Sequence, residues 1–409
     1  MDLLEKAEET AKLELCDHCR GRLFAQLGHG LTNEERGKAL RVFRSMDDDN
    51  NVQQKTEDCH LCSDLCSEFQ SLADIIVEEL EGLDFETFLV GSRIDPSIEE
   101  AEEQLWAELD ITTSSPIKSE INREVGKRVD DMLEAEVDLE APDVKAIIDT
   151  RFDTVEIEIG PLFIYGRYRK LSRDIPQTQW DCKRCRGIGC SHCNGKGKMY
   201  PTSVEEIIAE PLLEMTEGER AVLHGMGRED IDALMLGDGR PFVIEVKKPV
   251  NREVDLQELK DLVDKDGRVE IDSLRFSVRN EIQEIKTIQP EKSYKVTIDL
   301  NDKVSRVTFN KVIESCKGVT ISQRTPTRVT HRRADKVRKR KIYDIQLLRL
   351  DGDNAEISIK CQAGTYVKEF IHGDEGRTIP SLADELDTEC NVKYLDVLDV
   401  HYEDKEVVK

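Results

Sequence analysis

Residues 224–249, HGMGREDIDALMLGDGRPFVIEVKKP, place Arg228, Glu229, Asp230 and Asp232 within five positions. Glycines that read as turns precede them, and an apolar run that reads as strand follows. A carboxylate at the mouth of such a strand can act as nucleophile or base, and it needs a cation nearby to stay charged. The segment AGTYVKEFIHGD offers Lys368, two residues after Tyr366, and EKSYKVTIDL sets Tyr294 at the opening of another strand. One aspartate, one basic residue and two tyrosines, without a phosphate-binding glycine loop or an open-metal motif, are a sparse set. They suit chemistry on a nucleobase, whose ring supplies most of the reactivity, and they call for no organic cofactor.

A second chemistry lies in the twelve cysteines, which cluster. Cys16 and Cys19 form one C-x-x-C pair and Cys59 and Cys62 another; two such pairs close a tetrahedral thiolate site. Cys182, Cys185, Cys190 and Cys193 follow the tighter C-x2-C-x4-C-x2-C spacing, with glycines that let backbone amides face sulfur. Two structural zinc ions are expected, one per set. Cys66, His18 and His60 read as spare side chains, and Cys316, Cys361 and Cys390 as core. The second set also repeats C-x-x-C-x-G-x-G, which resembles the DnaJ-type co-chaperones. No HPD tripeptide accompanies it, so a zinc chaperone or a non-catalytic zinc-containing RNA-binding protein is the alternative reading.

The elements that must position these residues follow from periodicity. TNEERGKALRVFRSM reads as a helix with a Thr32–Glu35 capping box. FQSLADIIVEELEGL, SEINREVGKRVDDMLEAEV, SVEEIIAEPLLEMT, DLQELKDLVDK, TYVKEFIHG and SLADELD are also helical. FETFLVGSRI, DTVEIEIG, LFIYGRY, FVIEVKK, RVEIDSLRFSV, SYKVTIDL, KVSRVTF, YDIQLLRL, AEISIKCQ and VKYLDVLDVHY read as strands. The class is α+β with mixed sheets. Four segments are expected: an N-terminal zinc-binding segment over 1–66, a small α/β domain over 67–173, a cysteine insert over 174–200 and a large mixed α+β domain over 201–409.

Charge adds the partner. The chain holds 59 Lys and Arg against 85 Asp and Glu, a net −26 over 409 residues. Such acidity fits a halophilic cytoplasm, where molar salt shortens the Debye length to about 3 Å. Twelve acidic residues and one basic residue, Arg93, occupy 75–110, whereas RTPTRVTHRRADKVRKRK, 324–341, carries nine cations and one acid. In so acidic a chain that run faces a polyanion, nucleic acid first. Arg324, Arg328, Arg332, Arg333, Arg338, Lys339 and Arg340 are therefore candidate RNA contacts. Tyr165, Arg167 and Tyr168, aromatics interleaved with cations, join them as a platform for unpaired bases. The opening residues lack the apolar core of a secretory signal, and no apolar run approaches a membrane span. A cytoplasmic monomer is expected.

At GREDIDALMLGDGRPF, QRTPTRVTHRR, GTYVKEFIHGDEGRT, FIYGRYRKLSRDIPQTQW and LCDHCRGRLFAQLG the chain resembles the archaeal tRNA pseudouridine synthases of the Pus-Ten type. The resemblance spans nearly the whole chain. It implies a pseudouridine synthase catalytic domain and an N-terminal THUMP-containing domain. It implies conversion of uridine to pseudouridine in the TΨC arm of tRNA, at positions 54 and 55. The catalytic aspartate maps to Asp230, with Arg228 two residues before it. The K-x-Y block maps to Lys292 and Tyr294, whose ring would stack on the target uracil. The G-T-Y block maps to Thr365, Tyr366 and Lys368, whose ammonium would pair with the catalytic carboxylate. The chain departs from the pattern at Leu234, where an arginine is expected.

Overall fold

The computed structural model describes residues 3–47, 59–331 and 333–404. They divide into two units. One comprises Met1–Pro161 with Val250–Arg252, the other Leu162–Pro249 with Glu253–Lys409.

The first unit opens with helices α1 (Leu3–Ala11), α2 (Asp17–Arg22) and α3 (Asn33–Asp47). The Thr32–Glu35 capping box is present: the Glu35 amide donates to Thr32 Oγ1 at 3.1 Å, and the Thr32 amide to Glu35 Oε2 at 2.8 Å. α2 and α3 touch backbone to backbone, because Gly21 and Gly37 face them. A Cβ on Gly37 would fall 1.8 Å from the Asp17 carbonyl, and one on Gly21 1.7 Å from that of Asn33. There follow α4 (Phe69–Glu79), β1 (Thr87–Arg93), α5 (Pro96–Glu108), α6 (Ile117–Met132), β2 (Glu136–Val137), β3 (Val144–Asp149) and β4 (Thr154–Ile159). The strands order β2-β1-β3-β4, with β1 parallel to both neighbours and β4 antiparallel to β3. One core joins the N-terminal cysteines to Phe69, Ile76, Phe88, Ile117 and Ile121. The acidic run is solvated helix: Glu99, Glu100, Glu103 and Glu108 of α5 are exposed, and Glu102 alone turns inward, to pair with buried Arg22.

The second unit holds β5 (Leu162–Lys170), α7 (Val204–Thr216), β6 (Arg220–Gly225), β7 (Met235–Lys247), α8 (Leu256–Asp264), β8 (Val269–Phe276), α9 (Arg279–Thr287) and β9 (Lys292–Leu300). It continues with α10 (Arg306–Cys316), β10 (Thr320–Arg324), β11 (Val337–Asp351), β12 (Asn354–Cys361), α11 (Val367–His372), β13 (Thr378–Ile379), α12 (Leu382–Leu386) and β14 (Cys390–Val400). A ten-stranded sheet runs β13-β10-β11-β12-β9-β14-β7-β5-β8, with β6 beside β7. The β7–β14 join is the narrowest in it. There the ladder is parallel and registers at one pair, Val397 with Met235. Separate cores lie on either side of that join, one beneath β5–β8 and one beneath β9–β13. Tyr294 packs against both.

Two expectations are corrected. KVSRVTF is not a strand: Ser305 caps α10 by accepting from the Thr308 amide at 3.1 Å, so the β-branched Val307 and Thr308 enter a helix. Residues 162–170 do not close the N-terminal domain. β5 pairs with both β7 and β8 and buries both faces, which makes it a central strand of the second unit. Among the described residues, no helix is long and apolar enough to cross a membrane.

Candidate active site

The carboxylates of the 226–234 loop have separate duties. Glu229 is buried. It accepts from Arg240 Nε at 2.9 Å and from the Tyr168 hydroxyl at 3.0 Å. Asp230 and Asp232 point the other way and share one cation: Lys368 Nζ lies 3.3 Å from Asp230 Oδ2 and 3.4 Å from Asp232 Oδ2. A cleft of about 110 Å³ opens over Asp230, lined by Arg228, Tyr294, Arg328, Thr365, Tyr366 and Lys368, with Leu395 and Val397 of β14. That is the space of roughly four water molecules, on the scale of one heteroaromatic ring. The cleft therefore sits where β7 and β14 meet, and Tyr294, from the neighbouring strand β9, supplies an aromatic wall.

The loop is held from below by its main chain. Arg240 donates to the Met226 carbonyl at 2.8 Å and Gln177 to that of Gly227 at 2.9 Å. Lys170 donates to the carbonyls of Asp230 at 3.3 Å and Ile231 at 2.7 Å, and Arg173 to that of Asp232 at 2.9 Å. Lys170 is fully buried, and its desolvation draws its amine down from the ordinary lysine range. Burial, with Arg240 adding to it, likewise lowers Lys292 to about 8. Arg173 also pairs with Asp396 at 2.6 Å, and Asp396 accepts from the Leu234 amide at 3.2 Å. The cation beside the Leu234 main chain is thus Arg173.

This lattice corrects the reading of the FIYGRYRKLSR segment. Tyr165 and Tyr168 have no exposed surface, and Arg167 is 7 % exposed. The Tyr165 hydroxyl bonds Asp404, which also accepts from Arg167 Nη2 at 2.8 Å. None of the three presents a face to RNA: Tyr165 and Arg167 tie the strand to Asp404, and Tyr168 braces the loop through Glu229. Lys170, Gln177, Arg240 and Glu229 went unassigned in the sequence. The available signal was that Lys170 has the strand parity of Ile164 and Tyr168, so an inward strand face carried a cation in need of a partner.

On the opposite wall, Gln323 clamps Tyr366 by both main-chain atoms, donating to its carbonyl at 2.9 Å and accepting from its amide at 3.0 Å. Tyr366 begins α11, and that places Lys368 in its first turn. The basic run forms β10, a loop and the start of β11, in register from Thr320–Lys341 to Arg324–Val337. Its cations divide. Arg324 pairs with Asp335 at 2.6 Å. Arg328 pairs with buried Glu369 at 2.7 Å and lies 3.9 Å from Asp230. Arg333 donates to the Tyr366 hydroxyl at 3.0 Å, and Arg338 to Thr325 Oγ1 at 3.0 Å. Arg340 Nη1 donates to the Lys339 carbonyl. Arg332 lies outside the described residues.

The two cysteine groups meet a simple test. Tetrahedral zinc with bonds of about 2.3 Å separates its sulfurs by roughly 3.8 Å. Cys182–Cys190, Cys185–Cys193 and Cys190–Cys193 lie at 4.0, 3.7 and 3.8 Å, and Cys16–Cys62 at 3.9 Å. Amides of Gly189, Cys190 and Gly197 each donate to sulfur at 3.2 Å. The N-terminal group differs from expectation: Cys16, Cys19 and Cys62 converge with Cys66. Ser63 and Asp64 adopt left-handed conformations, φ 48° and 64°, and the 3-10 turn Leu65–Ser67 brings Cys66 back. Cys59 is buried alongside, so five thiols gather where four suffice.

In the first unit, a groove of about 690 Å³ between β1 and α6 bears Lys118, Arg123, Lys127 and Lys145 on its walls.

A sequence model described as Pus10, C-terminal, matches residues 163–401, and one described as Pus10 THUMP domain, archaeal, matches residues 72–149. A tRNA pseudouridine synthase Pus10 from Halorubrum lacusprofundi is 42 % identical over 417 residues, covering 99 % of this chain and 98 % of its own. The Methanocaldococcus jannaschii protein of the same description is 39 % identical over 429 residues, covering 96 % and 93 %. Among solved structures, a chain of a Cbf5-Nop10-Gar1 complex aligns with 18 % identity and a TM-score of 0.31, covering 48 % of this chain and 45 % of that one.

Proposed function

Because the chain belongs to the Pus10 family of tRNA pseudouridine synthases, we propose that it isomerises uridine to pseudouridine in the TΨC arm of tRNA, at positions 54 and 55, with Asp230 as the catalytic carboxylate. The observation that carries the assignment is the ion pair of Asp230 with Lys368 inside a cleft walled by Tyr294 and sized for one ring. The target uridine leaves its stack at a cost of about a few kcal/mol, and stacking on Tyr294 offsets about 1–3 kcal/mol of that. The N1–C1′ bond breaks and a C5–C1′ bond forms; C5 loses its proton and N1 gains one, so no electrons are exchanged. Attack at the sugar and attack at the ring both require the carboxylate. Lys368 fixes its direction and balances its charge, Lys170 holds the main chain beneath it, and Arg228 contacts the backbone beside the flipped base. The enzyme acts as a cytoplasmic monomer, and the groove of the first unit adds contacts to the tRNA.

Each sulfur group binds one structural zinc. Four thiolates leave no open position for water, so neither ion takes part in the reaction. Elemental analysis of purified protein is expected to find two zinc ions per chain, and one or none would refute that count.

Tritium release from C5-labelled uridine in a tRNA transcript tests the reaction, because rejoining the ring through C5 expels the hydrogen on that carbon, and pseudouridine in the digested product confirms the new bond. Wild-type protein is expected to release it. Asp230→Asn, which keeps the shape and loses the reacting group, is expected to abolish release while tRNA affinity stays within a few-fold. Substantial turnover by that variant would move the role to Asp232.

A further inference from the structure

We infer that the cysteine insert is an RNA-contacting module: its exposed tip, Lys183, Arg184, Arg186 and Lys196, grips the phosphates of the tRNA next to the target nucleotide. Between Cys182 and Lys198 the chain carries five cations and no carboxylate, within a protein of net charge −26. Lys198 pairs with Glu206. The other four are exposed and, among the described residues, form no ion pair. In the other basic stretch Arg324 and Arg328 are taken by Asp335 and Glu369, so the insert is a second place where unpaired cations gather. In a molecule that repels polyanions almost everywhere, uncommitted cations mark where one can land.

The tip is rigid. A Cβ on Gly197 would lie 2.2 Å from the Gly187 carbonyl, and one on Gly189 2.6 Å from that of Gly195, so the two knuckles pack backbone to backbone. Arg186 and Asn194 occupy the same place in the two C-x-x-C repeats, both with φ of 51°. Asparagine and glycine adopt that conformation more readily than arginine does. The chain keeps arginine there, with its side chain in solvent. Ile188, 90 % exposed, leaves the apex uncovered.

The foot of the insert lies beside the cleft. Trp180 at its foot accepts the Met199 amide at 2.8 Å and packs edge-on against Tyr200 at 5.6 Å. The Arg228 guanidinium lies 5.6 Å over the Trp180 ring, and Arg228 itself lines the cleft. One stacked pair therefore links the reacting centre to the insert. The phosphates the insert meets are those flanking the flipped base or in the stem that carries it. The inference rests on the reading that the cleft takes a uridine of tRNA.

The test is the triple substitution Lys183→Gln, Arg184→Gln, Arg186→Gln, compared with wild type across the KCl range in which both are folded. Zinc content and far-UV circular dichroism are expected to be unchanged, and tRNA Kd is expected to rise at least tenfold. Whatever its sign in the wild type, the slope of log affinity against log salt should shift upward by about 2–3, near one unit per lost phosphate contact. The rate at saturating tRNA is expected to stay within twofold. Lys196→Gln, a single exposed change that disturbs no glycine contact, should shift the slope by about one in the same direction. Unchanged affinity and slope in both variants, with zinc retained, would overturn the inference. Wild-type tritium release is measured alongside: without it the synthase reading fails, whereas an active wild type with unaltered variant binding fails the insert alone.

Discussion

Asp230, Tyr294 and Lys368 come from three separate stretches of the chain; the sequence singled them out by a turn before a strand, a strand opening and a place two residues after Tyr366, and the family resemblance pointed to the same three. Tyr294 packs against both cores of the second unit and lines the cleft, and burial raises its hydroxyl above the ordinary tyrosine range; in the proposed reaction the ring face meets the base. Stacking needs that face and not the hydroxyl. Tyr294→Phe is accordingly expected to retain most of the tritium-release rate, while Tyr294→Ala should lose about 5- to 150-fold, the equivalent of about 1–3 kcal/mol of stacking per base. Equal loss in both variants would implicate the hydroxyl in proton transfer at C5. The residues beneath the loop were not legible in the same way. A cation between aromatics reads equally as an RNA contact or as an internal tie, and only burial separates the two. Tyr165, Arg167 and Tyr168 fell on the internal side.

At the scale of elements, periodicity located most helices and strands, and the Thr32–Glu35 box placed the start of α3. It failed at KVSRVTF, where the β-branched Val304, Val307 and Thr308 outweighed a single capping serine. Cys66 was not read as a member of the N-terminal cysteine group for a related reason. Spacing favours paired C-x-x-C, and the left-handed turn that recruits Cys66 has no glycine to announce it. The α2–α3 contact leads to a prediction. Cys16 caps α2 and Cys19 lies within it, and the helix is held in place by the bare backbones at Gly21 and Gly37. Gly37→Ala forces the helices apart, with an overpacking cost of about 1–3 kcal/mol. Zinc is expected to fall from two per chain to one, with lower thermal stability. Gly126→Ala in α6, whose Cβ would meet only Val90 at 3.9 Å, is the control and should leave both unchanged. Retention of two zinc ions by Gly37→Ala would show that the first site does not depend on this packing.

For the molecule as a whole, the dominant fact is the net charge of −26, much of it on solvated faces such as α5. An ordinary RNA binder loses affinity as salt rises, because phosphate contacts release counterions. Here dilute buffer leaves the carboxylates repelling tRNA and each other, whereas molar salt screens them within about 3 Å. Stacking, hydrogen bonding and apolar burial persist. Folding and pseudouridine formation are expected to rise together as KCl increases into the molar range, followed by far-UV circular dichroism and tritium release. A fold intact in dilute buffer, with affinity falling monotonically on addition of salt, would refute the expectation and leave the enzymatic assignment in place. The chain has two tryptophans, Trp106 in the first unit and Trp180 in the second. Since Trp180 lies beneath Arg228 at the foot of the insert, replacing Trp106 with phenylalanine leaves a single indole at the entrance to the reacting centre. Its ultraviolet emission then becomes a label-free optical gauge of that entrance, registering substrate arrival and metal removal from one built-in chromophore.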